Sequence, residues 1–312
     1  MAFDNIDWIW KNGEFVPWAE ATVHVSAHGL HYGSGVFEGI RSYLSAAGPN
    51  VFRLADHLER FAASAAVYGF PLPFTDGELA DAVCELIDRN GLGDCYIRPI
   101  CFMGSGSLGL HPGKCPPETA ILAWEWPSYL GEENLELGVR VTISPWRKFH
   151  SSMMPTTAKA CGQYLNSILA VSDALARGFD EALLLDVNGR LAEGSGENLF
   201  VVKGGRIFTN SADDSILLGI TRRSVIEIAR TIGITVQTRP LELEDLLNAD
   251  EAFMTGTAAE VTPIREVDNE IIGSGRRGEV TEAVQRTFFD AVSGRDRRFT
   301  KWLHPVREAG AA

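Results

Sequence analysis

Residues 180–209 read DEALLLDVNGRLAEGSGENLFVVKGGRIFT, and this stretch decides the fold class. Apolar runs at 181–186, 190–192, 199–203 and 206–209 are separated by Asn188-Gly189 and Gly204-Gly205. Such pairs favour the positive φ angles of tight hairpins, so the strands return antiparallel to their neighbours. A parallel dinucleotide-binding sheet would need a helical crossover between strands, and there is no room for one here. Outward from this stretch the same signals recur. Asn12-Gly13 lies between strand-like runs 8–11 and 14–16, and strands are expected at 21–25, 36–44, 50–54, 95–102, 119–126, 138–144, 234–238 and 251–255. Helices are expected at 56–68 and at 78–90, with Leu79, Val83, Leu86 and Ile87 on one face. Further helices are expected at 163–177, with Leu165, Ile168, Leu169, Ser172 and Leu175 inward, and at 221–232, near 242–247 and at 279–292. The fold class is α+β, with two domains of mixed or antiparallel sheets and flanking helices. The polar stretch 127–138 is the candidate linker, giving a small N-terminal domain at 1–129, an interdomain loop at 130–137 and a large domain at 138–312.

The chain has 312 residues and carries 28 Lys+Arg against 41 Asp+Glu, a formal charge of −13. A surface that acidic repels phosphate backbones and argues against nucleic acid as a partner. The start, MAFDNIDWIWKNG, lacks a basic stretch followed by an apolar one, and no apolar run is long enough for a bilayer. The five cysteines fall into no CxxC or Cys/His cluster. Zinc is therefore not expected, and reduced thiols in the cytoplasm are. The glycine-rich 104–113, GSGSLGLHPG, lacks the GxGxxG spacing into a helix and reads as a functional loop.

The chemistry concentrates in three segments. In PTTAKACGQYLNS, Lys159 stands near the start of an expected helix, where the positive end of the helix dipole favours a neutral amine able to form a Schiff base. In LAEGSGENLF, Glu193 precedes glycines that let a flat ring approach, and a carboxylate facing a pyridinium nitrogen keeps that nitrogen protonated. Gly219-Ile220-Thr221 at a helix start and Thr255-Gly256-Thr257-Ala258 after a strand both offer N–H groups and hydroxyls to a phosphate. Taken together these are the requirements of pyridoxal 5′-phosphate.

Six segments in order, HYGSGVFEGIRSY (31–43), YIRP (96–99), TAKACGQYLNS (157–167), DVNGRLAEGSGENLF (186–200), LLGITRR (217–223) and TGTAAEVTPI (255–264), resemble the motifs of branched-chain amino-acid aminotransferases. These are fold type IV pyridoxal-phosphate enzymes, of D-amino-acid-aminotransferase-like architecture. The resemblance implies that Lys159 is the Schiff-base lysine and proton shuttle, and that Glu193 partners the ring nitrogen. It implies that Tyr164 bonds the ring oxygen, that Arg60, Ile220, Thr221 and Thr257 hold the phosphate, and that Leu217 and Gly196 sandwich the ring. On the substrate side, Tyr96 and the amides of Thr257 and Ala258 are implied for the α-carboxylate. Phe37, Gly39, Trp126, Tyr129 and Tyr164 are implied for the side-chain pocket, and Arg98 for the distal carboxylate of glutamate. Tyr32 and Leu110 are implied to reach in from a partner subunit, which makes the chain a homodimer at least, with a trimer of dimers as the larger option. The sequence departs from the commonest pattern at Cys161, Gln163 and Leu218 and in the loop 104–117. The expected reaction moves an amino group between valine, leucine or isoleucine and 2-oxoglutarate. The alternatives of the same fold are an (R)-amine or D-amino-acid transaminase and an aminodeoxychorismate lyase.

Overall fold

The computed structural model describes residue 3 and residues 6–126, 129–131 and 133–306. The chain divides into two compact units. The first comprises Met1–Trp126, Ala158–Gln163 and Ala291–Ala312, and the second Pro127–Thr157 and Tyr164–Asp290. The expected split at 130–137 is contiguous in sequence, whereas these units are not. The segment carrying Lys159 and the final segment both belong with the N-terminal sheet. Of the expected linker, 127, 128 and 132 lie outside the described residues, and the rest contains a short helix.

In the first unit the strands are β1 (Trp8–Lys11), β2 (Glu14–Pro17), β3 (Gly35–Phe37), β4 (Ile40–Ser45), β5 (Gly48–Phe52), β6 (Cys95–Met103) and β7 (Pro117–Trp124). Among the described residues they form an eight-stranded sheet in the order Leu303–Pro305, β5, β4, β6, β7, β1, β2, with β3 on β6. The β1–β2 turn has Asn12 at φ 51° and Gly13 at φ 97°, as its Asn-Gly pair requires. The helices of this unit are α1 (His28–Tyr32), α2 (Leu54–Val67) and α3 (Asp76–Arg89). α3 starts on a capping box: Thr75 Oγ1 accepts from the Glu78 N–H, and the Glu78 carboxylate accepts from the Thr75 N–H. Its buried Leu79, Val83, Leu86 and Ile87 are the face read from sequence. The strand expected at 21–25 does not form. The one expected at 36–44 is interrupted at Glu38-Gly39, where the chain leaves the ladder and resumes as β4.

The second unit adds α4 (Asn134–Leu137), α5 (Tyr164–Ala176), α6 (Ile220–Thr231), α7 (Leu243–Leu247) and α8 (Glu279–Val292). Its strands are β8 (Val139–Ile143), β9 (Glu181–Leu185), β10 (Leu191–Gly194), β11 (Asn198–Lys203), β12 (Arg206–Thr209), β13 (Val236–Thr238), β14 (Glu251–Gly256), β15 (Glu260–Val267) and β16 (Glu270–Ile271). Among the described residues they form a nine-stranded mixed sheet, ordered β10-β9-β8-β15-β14-β11-β12-β13 with β16 on β15. The hairpins read from 180–209 are present as β9–β10 and β11–β12. One face of this sheet holds a core of Val141, Leu183, Leu199, Val201, Met254 and Ile264. α5 turns its small residues to the sheet: Ala170 and Ala174 pack with Phe179, Ala182 and Leu184. Leu165, Ile168, Leu169 and Leu175, expected inward, are exposed instead, Leu165 by 65%. Alanines at the contact let helix and strand backbones approach closely, and that leaves the large side chains on the opposite face.

Candidate active site

In the first unit the site is built around a break in a strand and one face of α2. His57, Arg60 and Ser64 recur at i, i+3 and i+7 and so share that face. Ser64 Oγ accepts a hydrogen bond from the Lys159 N–H at 3.0 Å, and the Lys159 carbonyl accepts from the Phe37 N–H at 3.0 Å. Ala160 bridges Val36, and the Gly162 N–H donates to Gly33 O at 3.2 Å. Gly33, at φ 64°, lies so near that an added Cβ would fall 2.7 Å from the Gly162 Cα. The Lys159 segment is thus laid against β3 through an isolated bridge and two flanking hydrogen bonds. It precedes a 3₁₀ turn at Cys161–Gln163, with α5 starting after that.

The Lys159 ammonium lies 4.8 Å from the centre of the Phe37 ring. Burial is the main cause that lowers its pKa from 10.5 to about 8; the cation of Arg60 and, more weakly, that of Arg98 add to this, while Glu38 and Tyr96 oppose it. The helix expected to begin beside Lys159 starts only at Tyr164, five residues on, and desolvation and the neighbouring guanidinium groups lower the lysine pKa. Burial also pushes the Cys161 thiol, two residues on, up to about 11.

Arg98 sits in an aromatic cage, its guanidinium carbon 4.9 Å from the centre of Phe37, 5.3 Å from Tyr96 and 5.9 Å from Trp124. Its Nη2 makes a long contact of 3.4 Å to the Tyr96 hydroxyl, and its Nε is buried without a hydrogen-bond partner among the described residues. Trp126 stands edge-on to Tyr96 at 4.7 Å. Gly39 is needed here because an added Cβ would fall 1.9 Å from the Tyr96 hydroxyl oxygen. The first unit therefore brings together Lys159, Arg60, Phe37, Gly39, Tyr96, Arg98 and Trp126. Tyr32 and Leu110 are 46% and 81% exposed, with the Tyr32 hydroxyl donating to Leu108 O at 2.8 Å. His28 links the same loop to α1, its Nε2 lying 2.9 Å from Gly109 O.

In the second unit Glu193 is buried on β10. Its Oε2 accepts from the Leu217 N–H at 3.0 Å and from Asn198 Nδ2 at 3.1 Å, and its Oε1 is 2.6 Å from Lys148 Nζ. Asn198 Nδ2 also donates to Leu217 O, and Asn198 Oδ1 accepts from the Gly219 N–H. One asparagine side chain thus ties Glu193, Leu217 and the start of α6 together. Gly219 caps α6 without a side-chain hydrogen bond, ahead of the buried Ile220 and Thr221. The β11–β14 ladder sets Asn198 opposite Thr255, and Gly196 lies beside Gly256, just before Thr257 and Ala258. Tyr164 opens α5 half-buried, and Tyr129 is exposed.

Residues 35–267 match the family described as amino-transferase class IV. The chain belongs to that family. A branched-chain-amino-acid aminotransferase of Salmonella typhimurium is 45% identical over 98% of this chain and 99% of its own length. The Escherichia coli branched-chain amino acid aminotransferase superposes with a TM-score of 0.95 at 45% identity, covering 97% of this chain and 100% of that one. The solved branched-chain amino acid aminotransferase of Thermobaculum terrenum, in its PLP-bound holo form, is 35% identical and superposes with a TM-score of 0.91, covering 97% of this chain and 99% of that one. Reading this class IV amino-transferase by sequence did not single out Glu38, His57, Ser64, Lys148 or Asn198. Each bonds another side chain or backbone group of the two clusters, so no motif of reactive groups marks it. The detectable signal for Glu38 is a lone carboxylate inside an otherwise apolar strand pattern, and for Asn198 its place in GEN, two residues after Gly196.

Proposed function

We propose that this chain is a pyridoxal-phosphate transaminase that moves the amino group between L-valine, L-leucine or L-isoleucine and 2-oxoglutarate. The observation that carries the reading is Lys159: its amine is held near neutrality, at about 8, beside Arg60, Arg98 and the Phe37 ring. The donor set suits the cofactor in each unit. The first offers a depressed amine with an arginine at hand. The second offers a fixed buried carboxylate and a helix start without a side-chain cap, which suits an anion. When bound, the cofactor supplies an electron sink for the substrate α-carbon.

The residues of the chain do the rest. Lys159 Nζ carries the proton taken from the α-carbon, a task suited to a base that is part neutral at physiological pH. Glu193, its orientation fixed by Asn198 and the Leu217 N–H and its Oε1 shared with Lys148, would face the ring nitrogen of the bound cofactor and favour its protonated form. Arg60, the N–H groups of Ile220 and Thr221, and Thr257 bind phosphate. Tyr164 would hold the ring oxygen, and Leu217 and Gly196 would hold the ring itself. Tyr96 with the amides of Thr257 and Ala258 takes the α-carboxylate. Phe37, Gly39, Trp126, Tyr129 and Tyr164 shape the side-chain pocket, and Arg98 receives the distal carboxylate of glutamate. Tyr32 and Leu110 complete a partner's pocket in a homodimer at least, with a trimer of dimers as the larger option. Their exposure, and that of the apolar face of α5, support this.

Among the described residues no helix is long and apolar enough to cross a membrane. The proposed compartment is the cytoplasm, in keeping with five free cysteines.

The test is a donor panel against 2-oxoglutarate containing L-valine, L-leucine, L-isoleucine, D-alanine and (R)-1-phenylethylamine. The three L-amino acids should dominate, and preference for D-alanine or the (R)-amine would overturn the substrate assignment. Borohydride reduction of the loaded protein should fix the cofactor on Lys159, and a label on another lysine would overturn the site.

A further inference from the structure

Glu38 is fully buried in the gap between β3 and β4, yet it is a carboxylate. Its Oε1 accepts from Arg60 Nε at 2.6 Å and its Oε2 from Arg60 Nη2 at 2.8 Å, a two-pronged fork. Its Oε2 is also 2.8 Å from His57 Nδ1 and accepts from the Gly39 N–H at 3.2 Å. The Glu38 N–H donates to Pro99 O at 2.8 Å, so backbone and side chain are both held. Burial alone would raise the pKa of this carboxyl, but Arg60 and His57 more than offset that and hold it well below the usual carboxylate range. A deprotonated Glu38 can only accept, so Nδ1 of His57 carries the proton. Burial lowers the pKa of the His57 ring, with Arg60 and Lys159 adding to this and Glu38 opposing it, so the ring is neutral.

A buried carboxylate is costly unless its partners need it. Two needs meet here. A long arginine side chain on a helix samples many rotamers, and a fork on one edge fixes the guanidinium plane and aims its remaining edge. An unopposed arginine cation would also depress Lys159 further. We infer that Glu38 is a positioning residue that fixes the Arg60 guanidinium for the cofactor phosphate and offsets its charge at Lys159. This rests on the reading of Lys159 and Arg60 given above. Among the described residues, the charged or titratable groups that act on Lys159 include Glu38, His57 and Arg60, Tyr96 and Arg98 from β6, and Cys161 on its own segment.

The test uses the full-length, cofactor-loaded protein and two readouts, the cofactor dissociation constant and the pH midpoint of the visible band. In E38Q the midpoint should fall by about one pH unit, because a negative charge near the lysine nitrogen is removed. The dissociation constant should rise by ~10-fold or more as the fork loosens. E38D keeps the charge but withdraws the carboxylate by one methylene. Its midpoint should stay within about 0.3 of the wild type while the dissociation constant still rises ~10-fold. An unmoved midpoint in E38Q, with or without loss of affinity, overturns the proposal. If E38Q does not fold, E38D carries the test, and wild-type affinity there or failure to fold overturns the proposal. Borohydride fixation of the wild type separates the two readings. A label away from Lys159 defeats the site assignment, whereas a label on Lys159 with a wild-type-like E38Q defeats only the role of Glu38.

Discussion

Replacing Arg98 by methionine should separate the two substrates that one pocket must accept. Its guanidinium lies against Phe37, Tyr96 and Trp124, and its buried Nε has no hydrogen-bond partner among the described residues. The cation is thus held in an apolar cage with donor capacity to spare, which suits an incoming carboxylate and gives little to an isobutyl group. Removing one member of a buried charge pair costs ~3–5 kcal/mol. At ~1.4 kcal/mol per factor of ten, kcat/KM for glutamate should fall by ~10²–10³-fold or more. Methionine keeps much of the arginine's bulk and flexibility, so leucine, measured in single-turnover half-reactions, should change by less than ~10-fold. A second signature comes from electrostatics. Arg98 is one of the cations that depress Lys159, so its removal should move the pH midpoint of the visible band upward, opposite in sign to E38Q. Equal losses for leucine and glutamate would refute the reasoning, because Arg98 would then serve the α-carboxylate or the fold.

Three further outcomes are expected. Glu193→Gln keeps the shape of the side chain but loses its charge, and kcat should drop by at least ~10²-fold; full activity would contradict its ring-nitrogen role. With cofactor removed, acylation of Lys159 should be half-maximal near pH 8, the neutral amine fraction rising with pH; a midpoint near 10.5 would show that the desolvation and cation effects do not operate. Leu165→Glu together with Ile168→Glu places two charges on the exposed apolar face of α5, and light scattering should report monomers; an unchanged assembly would move the interface elsewhere.

The hairpins, the buried face of α3 and the two candidate ionisable groups were legible because each leaves a local signature. Asn-Gly and Gly-Gly pairs dictate turns, Leu79, Val83, Leu86 and Ile87 recur at helical spacing, and Lys159 and Glu193 stand out among the small neighbours Ala158, Ala160, Gly194 and Ser195, whereas the cap at Thr75 lies ahead of the helix read at 78–90. The buried face of α5 was not legible. That helix carries large apolar residues on one side and alanines on the other, and periodicity does not say which side meets a sheet. β15 was also missed. It begins at Glu260, whose φ is 56°, so a turn-like residue opens a strand that pairs with β14 directly after it. Glu38 lies inside the stretch 36–44 that reads as one continuous strand, and nothing local marks it as buried. The bulk of the Tyr96 hydroxyl against Gly39, and the pairing with a helix 19–22 residues later, are long-range facts invisible to a short window.

The discontinuity of the first unit also bears on how the protein is made. Its sheet receives the Lys159 segment only after Pro127–Thr157 has been synthesised, and Leu303–Pro305 beside β5 only after the whole second unit has been. On the ribosome β5 therefore presents an unpaired edge through most of translation, and an open edge invites pairing with other nascent chains. A gene fragment ending at Trp126 would keep that edge for good and would lack the lysine as well. Such a fragment should be recovered as aggregate, while co-expressing the remainder of the chain with it should restore soluble protein.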